Sequence, residues 1–369
     1  MKIALSGIVK NESQIIERCL NSCKDVIDYV AITDTGSNDK TPEIIEKWCS
    51  ENKIPCNVTR SKWVNFSHSR TEALRNSEKA FPDSDYLLLI DADMILENHG
   101  IKKEELTHSA YHVEQYNPFI RYDNVRLVST KNKWYYVGVT HEYITCDDIN
   151  PDFGKLNTLR ILDIGDGGSK SDKFTRDIKL LSDELRKKDL QKNLRARYVF
   201  YLSQSYFDTK QYSKALRFYR QRSELGEYDM EVWYSIYRIG LCLMNLNRWE
   251  EAETAFLQAY SMKPYRCEPL VEIVNHHVFK EKPDYHMAGL FLPRLLKLKA
   301  QPNQDGLFNV AHYKEYHIDY LVSICAYYVD EKELGLKSCQ DILKSNAPQH
   351  IKTASESNMA FYKPRFDLD

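Results

Sequence analysis

Tyr86-Leu87-Leu88-Leu89-Ile90-Asp91-Ala92-Asp93-Met94-Ile95-Leu96-Glu97 is the stretch from which the rest of this chain can be read. The apolar run from Tyr86 to Ile90 reads as a buried strand. It stops at two carboxylates one residue apart. Aspartates at the carboxyl end of such a strand face the crevice where open α/β sheets bind ligands. Two carboxylates so close raise each other's pKa unless a cation lies beside them. Mg²⁺ or Mn²⁺ meets that demand, because hard cations take oxygen ligands and leave positions for substrate phosphates. Taken alone, Asp-x-Asp is explained equally well by two solvated aspartates at a strand end. A helix–loop–helix calcium loop is excluded, since Ile95 and Leu96 stand where it needs a polar ligand and then glycine.

Working outward, strands and helices alternate. Ile3 to Val9 reads as a strand, and Ser13 to Lys24 as an amphipathic helix with Ile15, Ile16, Cys19, Leu20 and Cys23 inward. Tyr29 to Thr33 is a second strand, closing on Asp34-Thr35-Gly36-Ser37-Asn38-Asp39. Pro42 opens a helix that ends near Asn52, with Thr41 as its cap. Asn57 to Ser61 is a third strand and Phe66 to Ser77 a helix. This alternation predicts a parallel sheet with right-handed crossovers. Asp34, Asp91 and Asp93 then gather at its ligand-binding end. Gly36 permits a close approach there, and Arg70 offers a planar fork for phosphate. Further on, Tyr111–Tyr116, Asn124–Ser129 and Lys133–Val137 alternate like strands. Core or edge packing is the favoured reading of Trp134, Tyr135 and Tyr136.

Five pieces stand in order: Ser6-Gly7-Ile8-Val9-Lys10-Asn11-Glu12, Asp34-Thr35-Gly36-Ser37-Asn38-Asp39-Lys40-Thr41, Asn65-Phe66-Ser67-His68-Ser69-Arg70, Leu89-Ile90-Asp91-Ala92-Asp93 and Tyr136-Val137-Gly138-Val139-Thr140-His141-Glu142. Together they resemble the GT-A glycosyltransferases of family 2, and within them the branch with tetratricopeptide repeats behind the catalytic domain. The resemblance covers residues 1 to about 185. It implies a Rossmann-like, mostly parallel α/β domain over 1–173, a helical repeat domain over 174–345 and a tail over 346–369.

The resemblance also implies roles. Glu12 and Asp34 would contact the nucleoside, and Arg70 the diphosphate. Asp91 would lie near ribose and metal, and Asp93 would hold Mn²⁺ or Mg²⁺ against the diphosphate of a UDP-sugar. Glu142 would be the base that takes the acceptor's proton. His141 would orient Glu142 or touch the acceptor, with a structural histidine as the alternative. One departure stands out: Asp163, in Ile161-Leu162-Asp163-Ile164-Gly165, occupies the place of the family's usual histidine. Three readings stay open: Asp163 is the third metal ligand, the metal site is weakened, or Asp163 caps a strand. Gly165, Gly167, Gly168 and Ser169-Lys170-Ser171 read as a loop that closes over the donor, and Lys173 and Arg176 match the family's basic residues on the next helix. The expected activity is inverting transfer of a sugar from a nucleotide sugar to a hydroxyl on a glycan or protein. The rival is an inert sugar-nucleotide domain on a protein-binding scaffold.

From Phe174 on the pattern is helical and repeats. Gln211-Tyr212-Ser213-Lys214-Ala215-Leu216 matches Arg248-Trp249-Glu250-Glu251-Ala252-Glu253, and Asp284-Tyr285-His286-Met287-Ala288 follows. Tyrosines such as Tyr198, Tyr201, Tyr234 and Tyr237 are expected to line a concave face that takes a protein partner, a glycan or a second copy. Bulk properties narrow the classes. With 369 residues and a net charge of −2, nucleic-acid binding by bulk charge is disfavoured. No apolar run reaches the roughly 18 residues of a membrane span, and the first residues lack the apolar length of a signal peptide. Nine scattered cysteines without Cys-x-x-Cys argue against zinc and for a reducing, cytoplasmic setting.

Overall fold

The structure, a computed structural model, describes residues 1–118, 121–148, 150–167, 173–302 and 307–362. It divides into two compact units, Met1–Ser205 and Tyr206–Asp369. The first is built on an eight-stranded sheet. Its strands are β1 (Ile3–Val9), β2 (Tyr29–Asp34), β3 (Cys56–Arg60), β4 (Tyr86–Leu89), β5 (Met94–Asn98), β6 (Ala110–Tyr116), β7 (Arg121–Ser129) and, after a separate hairpin, β10 (Phe153–Asp163). Their order is β3-β2-β1-β4-β7-β6-β10-β5. The pairs from β3 to β4 are parallel, as the alternation predicts. β7 runs antiparallel to both of its neighbours, and β5 antiparallel to β10.

The crossovers are α1 (Ile16–Cys23), α2 (Thr41–Asn52) and α3 (Phe66–Ala80). On α1 the buried residues are Ile16, Cys19, Leu20 and Cys23, the spacing of one apolar stripe. On the sheet, Ile3, Leu88, Val113, Leu127, Leu159 and Ile161 are wholly buried. Each such side chain contributes about 1.5–3 kcal/mol relative to exposure. Thr41 is the first residue of α2 rather than its cap; its amide and hydroxyl both donate to Asp39 Oδ1. Gly7 lies where β1 passes the end of β4. A Cβ there would come 2.8 Å from the Ile90 carbonyl oxygen, so only glycine lets the backbones meet.

The hairpin strands β8 (Trp134–Val137) and β9 (Tyr143–Cys146) pair with each other, Val137 opposite Tyr143. Trp134 is core: its ring is 1 % exposed and its indole N–H donates to the Ser129 carbonyl at 3.0 Å. Two helices complete the unit, α4 (Lys173–Leu185) and α5 (Lys192–Asp208) through Ser205.

The second unit is helical: α6 (Tyr212–Glu224), α7 (Asp229–Asn245), α8 (Trp249–Met262), α9 (Glu268–Phe279), α10 (Tyr285–Gly289), α11 (Leu292–Lys299), α12 (Ile318–Cys325), α13 (Lys332–Lys344) and α14 (Gln349–Tyr362). The repeat shows in its packing, since Ala215, Ala252 and Ala288 are all fully buried. Of the four tyrosines expected on a concave face, Tyr198 and Tyr237 are buried and Tyr201 and Tyr234 half-buried. Tyr237 is 4 % exposed and donates to Glu272 Oε1, while Tyr198 and Tyr201 belong to the first unit. A buried phenol that finds an acceptor is worth more inside than out. The stretch expected as a tail is helical in α14, and Tyr362 donates to the Ser323 carbonyl at 2.7 Å; 363–369 lie outside the described residues. All nine cysteines are free. Among the described residues no helix is long and apolar enough to cross a membrane.

Candidate active site

The loops after β1 and β2 are knitted together, and this positions the first wall of the site. Asn11 takes a left-handed conformation, φ 57°, which asparagine tolerates. Its amide donates to Ser37 Oγ and its side chain accepts from the Asn38 amide, both at 2.9 Å. The Glu12 amide donates to Thr41 Oγ1 at 2.8 Å, leaving the Glu12 carboxylate aimed elsewhere. It reaches a cleft of about 380 Å³ at the carboxyl ends of β1 and β4. Asp91, Asp93, Asp163 and Arg70 line the same cleft, together with Trp63, Gly167, Lys173 and Arg176. Asp34 does not join them. It is 1 % exposed and accepts from the Ser37 amide at 3.0 Å, so it organises the Gly36 turn. Gly168 and Ser169-Lys170-Ser171 lie outside the described residues.

Asp163 arrives through strand register. It pairs with Met94 across β10 and β5, and the Ile164 amide donates to the Asp93 carbonyl at 3.2 Å. A Cβ on Gly167 would lie 3.3 Å from Asp93 Oδ2 and 3.5 Å from Glu12 Oε1, so backbone approaches both carboxylates closely.

A second cleft of about 530 Å³ shares Phe66, Arg70, Asp91, Lys173 and Arg176 with the first. It adds Tyr122, Tyr136, His141, Glu142, Asp177 and Arg197. Arg70 is the wall between the two. Its Nε donates to Glu142 Oε1 at 2.6 Å, and its Nη1 lies 2.7 Å from Asp91 Oδ1. Its guanidinium also lies over the Tyr136 ring at 5.8 Å. On the far side of Asp91, Arg126 Nη1 stands 3.7 Å from Oδ2. Arg126 in turn donates from Nη2 to Gln115 Oε1 at 2.6 Å, and Gln115 Nε2 donates to Asp163 Oδ2 at 3.0 Å. One unbroken chain thus runs Glu142–Arg70–Asp91–Arg126–Gln115–Asp163.

This chain answers the question raised by two neighbouring carboxylates. Burial pushes the Asp91 carboxyl up, but the charges and hydrogen bonds of Arg70 and Arg126 outweigh it and hold Asp91 below the usual carboxylate range. The same carboxylates hold the Arg70 guanidinium charged against its burial. Burial pushes the Tyr136 phenol up to about 12. The cation beside Asp91 is therefore arginine. For a divalent ion, Asp93 and Asp163 supply hard oxygen donors in one cleft. Among the described residues no group of three His, Cys, Asp or Glu is gathered tightly enough to hold a metal. The donor set fits such an ion when ligand oxygens complete it, which suits a cation that enters with a diphosphate.

Glu142 and His141 sit on the β8–β9 turn. Gly138 takes φ 111° and His141 φ 50°, so two of its residues are left-handed, one of them not glycine. The His141 ring stacks on Tyr201, centroids 3.8 Å apart, and its Nε2 is 3.7 Å from Asp177 Oδ2. Asp177 is 1 % exposed. Burial pushes its carboxyl up, yet His141, the Thr140 hydroxyl and Arg176 bring it below the usual range. Gln115, Arg126, Asp177 and Arg197 were not singled out from sequence. Only a polar residue at an inward strand position, as at Gln115 and Arg126, gave a signal.

Residues 8–137 match the family Glycosyl transferase family 2. Among curated proteins, the SPbeta prophage-derived glycosyltransferase SunS of Bacillus subtilis is 27% identical over 194 residues, covering 48% of this chain and 44% of that protein. A TPR repeat-containing protein of Synechococcus elongatus is 33% identical over 99 residues, 26% of this chain and 22% of that one. The chain spans less than half the length of either. Among solved structures, residues 1–349 of S. aureus TarS share 14% identity with a TM-score of 0.38, over 70% of this chain and 92% of that one.

Proposed function

From the glycosyltransferase family 2 domain that residues 8–137 carry, we propose that this protein is an inverting glycosyltransferase using a nucleotide sugar, a UDP-sugar, on a glycan or protein hydroxyl. The single observation that carries the reading is the pair of clefts with Arg70 as common wall, Asp93 and Asp163 on one side, Glu142 on the other and Asp91 lining both. The first cleft takes the donor, with Glu12 toward the nucleoside and Arg70, Lys173 and Arg176 toward the diphosphate. Asp93 and Asp163 would hold a divalent cation, whose charge would stabilise the departing diphosphate. In the second cleft Glu142 accepts the proton of the acceptor hydroxyl as that oxygen bonds to the anomeric carbon and the bond to the diphosphate breaks. Attack opposite the leaving group inverts the configuration. A positioned base of this kind contributes typically about 10²–10⁴ in rate.

The test is nucleotide release from a panel of nucleotide sugars with Mn²⁺, for wild type, Asp93→Ala and Glu142→Gln. Release from one UDP-sugar, abolished in Asp93→Ala and reduced about 10²-fold or more in Glu142→Gln, is the expected result. No release from any donor, with no rise in melting temperature on adding UDP and Mn²⁺, refutes it in favour of an inert domain on a binding scaffold.

A further inference from the structure

Val139, Thr140 and His141, in the turn that presents Glu142, are each held by a helix outside the sheet. The Phe66 amide, at the start of α3, donates to the Val139 carbonyl at 3.2 Å. The Val139 amide donates to the Tyr198 hydroxyl oxygen at 3.2 Å. The Thr140 hydroxyl donates to Asp177 Oδ1 at 3.0 Å. The His141 carbonyl accepts two bonds from Arg197, from Nη2 at 2.7 Å and Nε at 3.0 Å. Asp177 is on α4, and Arg197 and Tyr198 are adjacent on α5. Adjacent residues on a helix point about 100° apart, so α5 addresses the turn with two separate side chains. None of the three is placed by the family match, which ends at residue 137.

The turn needs such holding. A left-handed conformation at a non-glycine residue costs of order 1 kcal/mol and persists where surroundings over-determine it. His141 is that residue, and it is the one with the most partners: two bonds at its carbonyl, Tyr201 against its ring, and Asp177 at its Nε2. Asp177 Oδ2 is buried and makes no hydrogen bond of ordinary length. A buried carboxylate oxygen without a donor is costly, so the imidazole facing it is its electrostatic counterpart. The charged groups lining the same cleft as this pair include Arg70, Asp91, Glu142, Lys173, Arg176 and Arg197.

We propose that Asp177, Arg197 and Tyr198 are positioning residues, holding residues 139–142 in the strained turn from which Glu142 reaches the acceptor hydroxyl. This rests on the transfer reaction proposed above. It makes α4 and α5 part of the catalytic apparatus rather than a link between units. A misplacement of about 1 Å in a reacting group can cost 10²-fold in rate. The three side chains therefore act on kcat and leave donor affinity alone.

The test uses the full chain with Arg197→Gln, Arg197→Lys, Asp177→Asn and Tyr198→Phe. As a control, Arg186→Gln removes a guanidinium paired with the exposed Asp183. Two readouts are taken. Amide hydrogen exchange of a peptide spanning 138–142 reports the turn directly and needs no activity. Steady-state kinetics with the active donor report kcat and the donor KM. The expected result is faster exchange across the turn in Arg197→Gln and Asp177→Asn. With it, kcat falls tenfold or more at unchanged donor KM, and Arg197→Lys recovers part of the loss. Unchanged exchange overturns the clamp. Faster exchange with wild-type kcat overturns the positioning role and leaves these residues merely structural. A wild type that releases nucleotide from no donor refutes the transfer reaction instead. The positioning role then falls with it, while the exchange result still reports whether the clamp exists.

Discussion

Replacing Gln115 with leucine removes the hinge of the carboxylate–arginine chain while keeping its volume. Gln115 is 1 % exposed. It gives one N–H to Asp163 Oδ2 at 3.0 Å and takes the Arg126 guanidinium at 2.6 and 3.2 Å. Hydrogen bonds to charged groups are worth about 1.5–3 kcal/mol each; with the two Arg126 bonds to the one Gln115 oxygen taken as a single interaction, losing Asp163 and Arg126 as partners costs about 3–6 kcal/mol. Burying the leucine returns about 1.5–3 kcal/mol. Asp163 lines the open cleft, where water can replace one donor. The net expectation is a loss of about 1.5–3 kcal/mol from the first unit. For a unit of this size 1 kcal/mol shifts the melting temperature by about 2–4 °C. The first transition should therefore fall by roughly 4–8 °C for a loss of about 2 kcal/mol. Differential scanning calorimetry of the full chain reads it, with the two units' transitions fitted separately. The double variant Gln115→Leu/Arg126→Met completes the cycle. Once Arg126 carries no charge it no longer needs Gln115, so the double loss should fall short of the sum by at least 1 kcal/mol. A single-variant shift below 2 °C, or additive losses, would refute the coupling of these groups.

Three further outcomes follow from the packing. Asp91 and Asp177 are both held below the usual carboxylate range in the folded state. The unfolded chain therefore binds more protons, and their stabilisation is complete above the unfolded value near 3.9 and lost as pH falls through the folded values. Urea midpoints taken from pH 6 to pH 2.5 should drop steeply only below about pH 4, and Asp177→Asn should flatten that drop. Gly7→Ala drives a methyl against the Ile90 carbonyl oxygen. The expected loss is about 1–3 kcal/mol, with nucleotide release falling because Asp91 follows Ile90, and a melting curve within 1 °C of wild type would contradict the close approach. In the second unit, Ala252→Leu overfills a fully buried repeat position and should cost a similar amount, read as a lower second transition.

The sheet was legible where one chemical signal dominates. β1, β2 and β4 are apolar runs that end on polar turns, and their order follows from crossover rules. β5 and β10 were not: β5 has only the three apolar residues Met94–Leu96 directly behind Asp93, and β10 is the half-exposed alternation along Phe153–Asp163. The motifs that single out Glu12, Asp91, Asp93 and Glu142 lie in loops beside strand ends and Arg70 lies in the first turns of α3, and all five line one or both clefts. Gln115 and Arg126 sit inside strands. Their meeting depends on a register interrupted between Tyr111 and His112, which spacing alone does not encode. Asp177 and Arg197 look like ordinary charges on amphipathic helices until α4 and α5 are docked. Asp34 ends β2 where the motif puts it, and its carboxylate accepts from the Ser37 amide rather than lining the cleft, because a motif gives a residue's position along the chain and not the direction of its side chain.

Arg70 has one consequence that concerns the order of events. Arg70 lines both clefts, as Lys173 and Arg176 do, and it bonds to both Glu142 and Asp91, so whatever occupies one cleft changes the electrostatics of the other. Thermodynamic reciprocity then requires that the donor alter acceptor affinity by the same factor by which the acceptor alters donor affinity. On the proposed reading a donor diphosphate would compete with Glu142 for the N–H groups of Arg70, and drawing Arg70 toward itself would leave Glu142 less engaged. The wall between the two chambers is thus also the wire between them, and titrating either ligand with the other present or absent measures one and the same coupling.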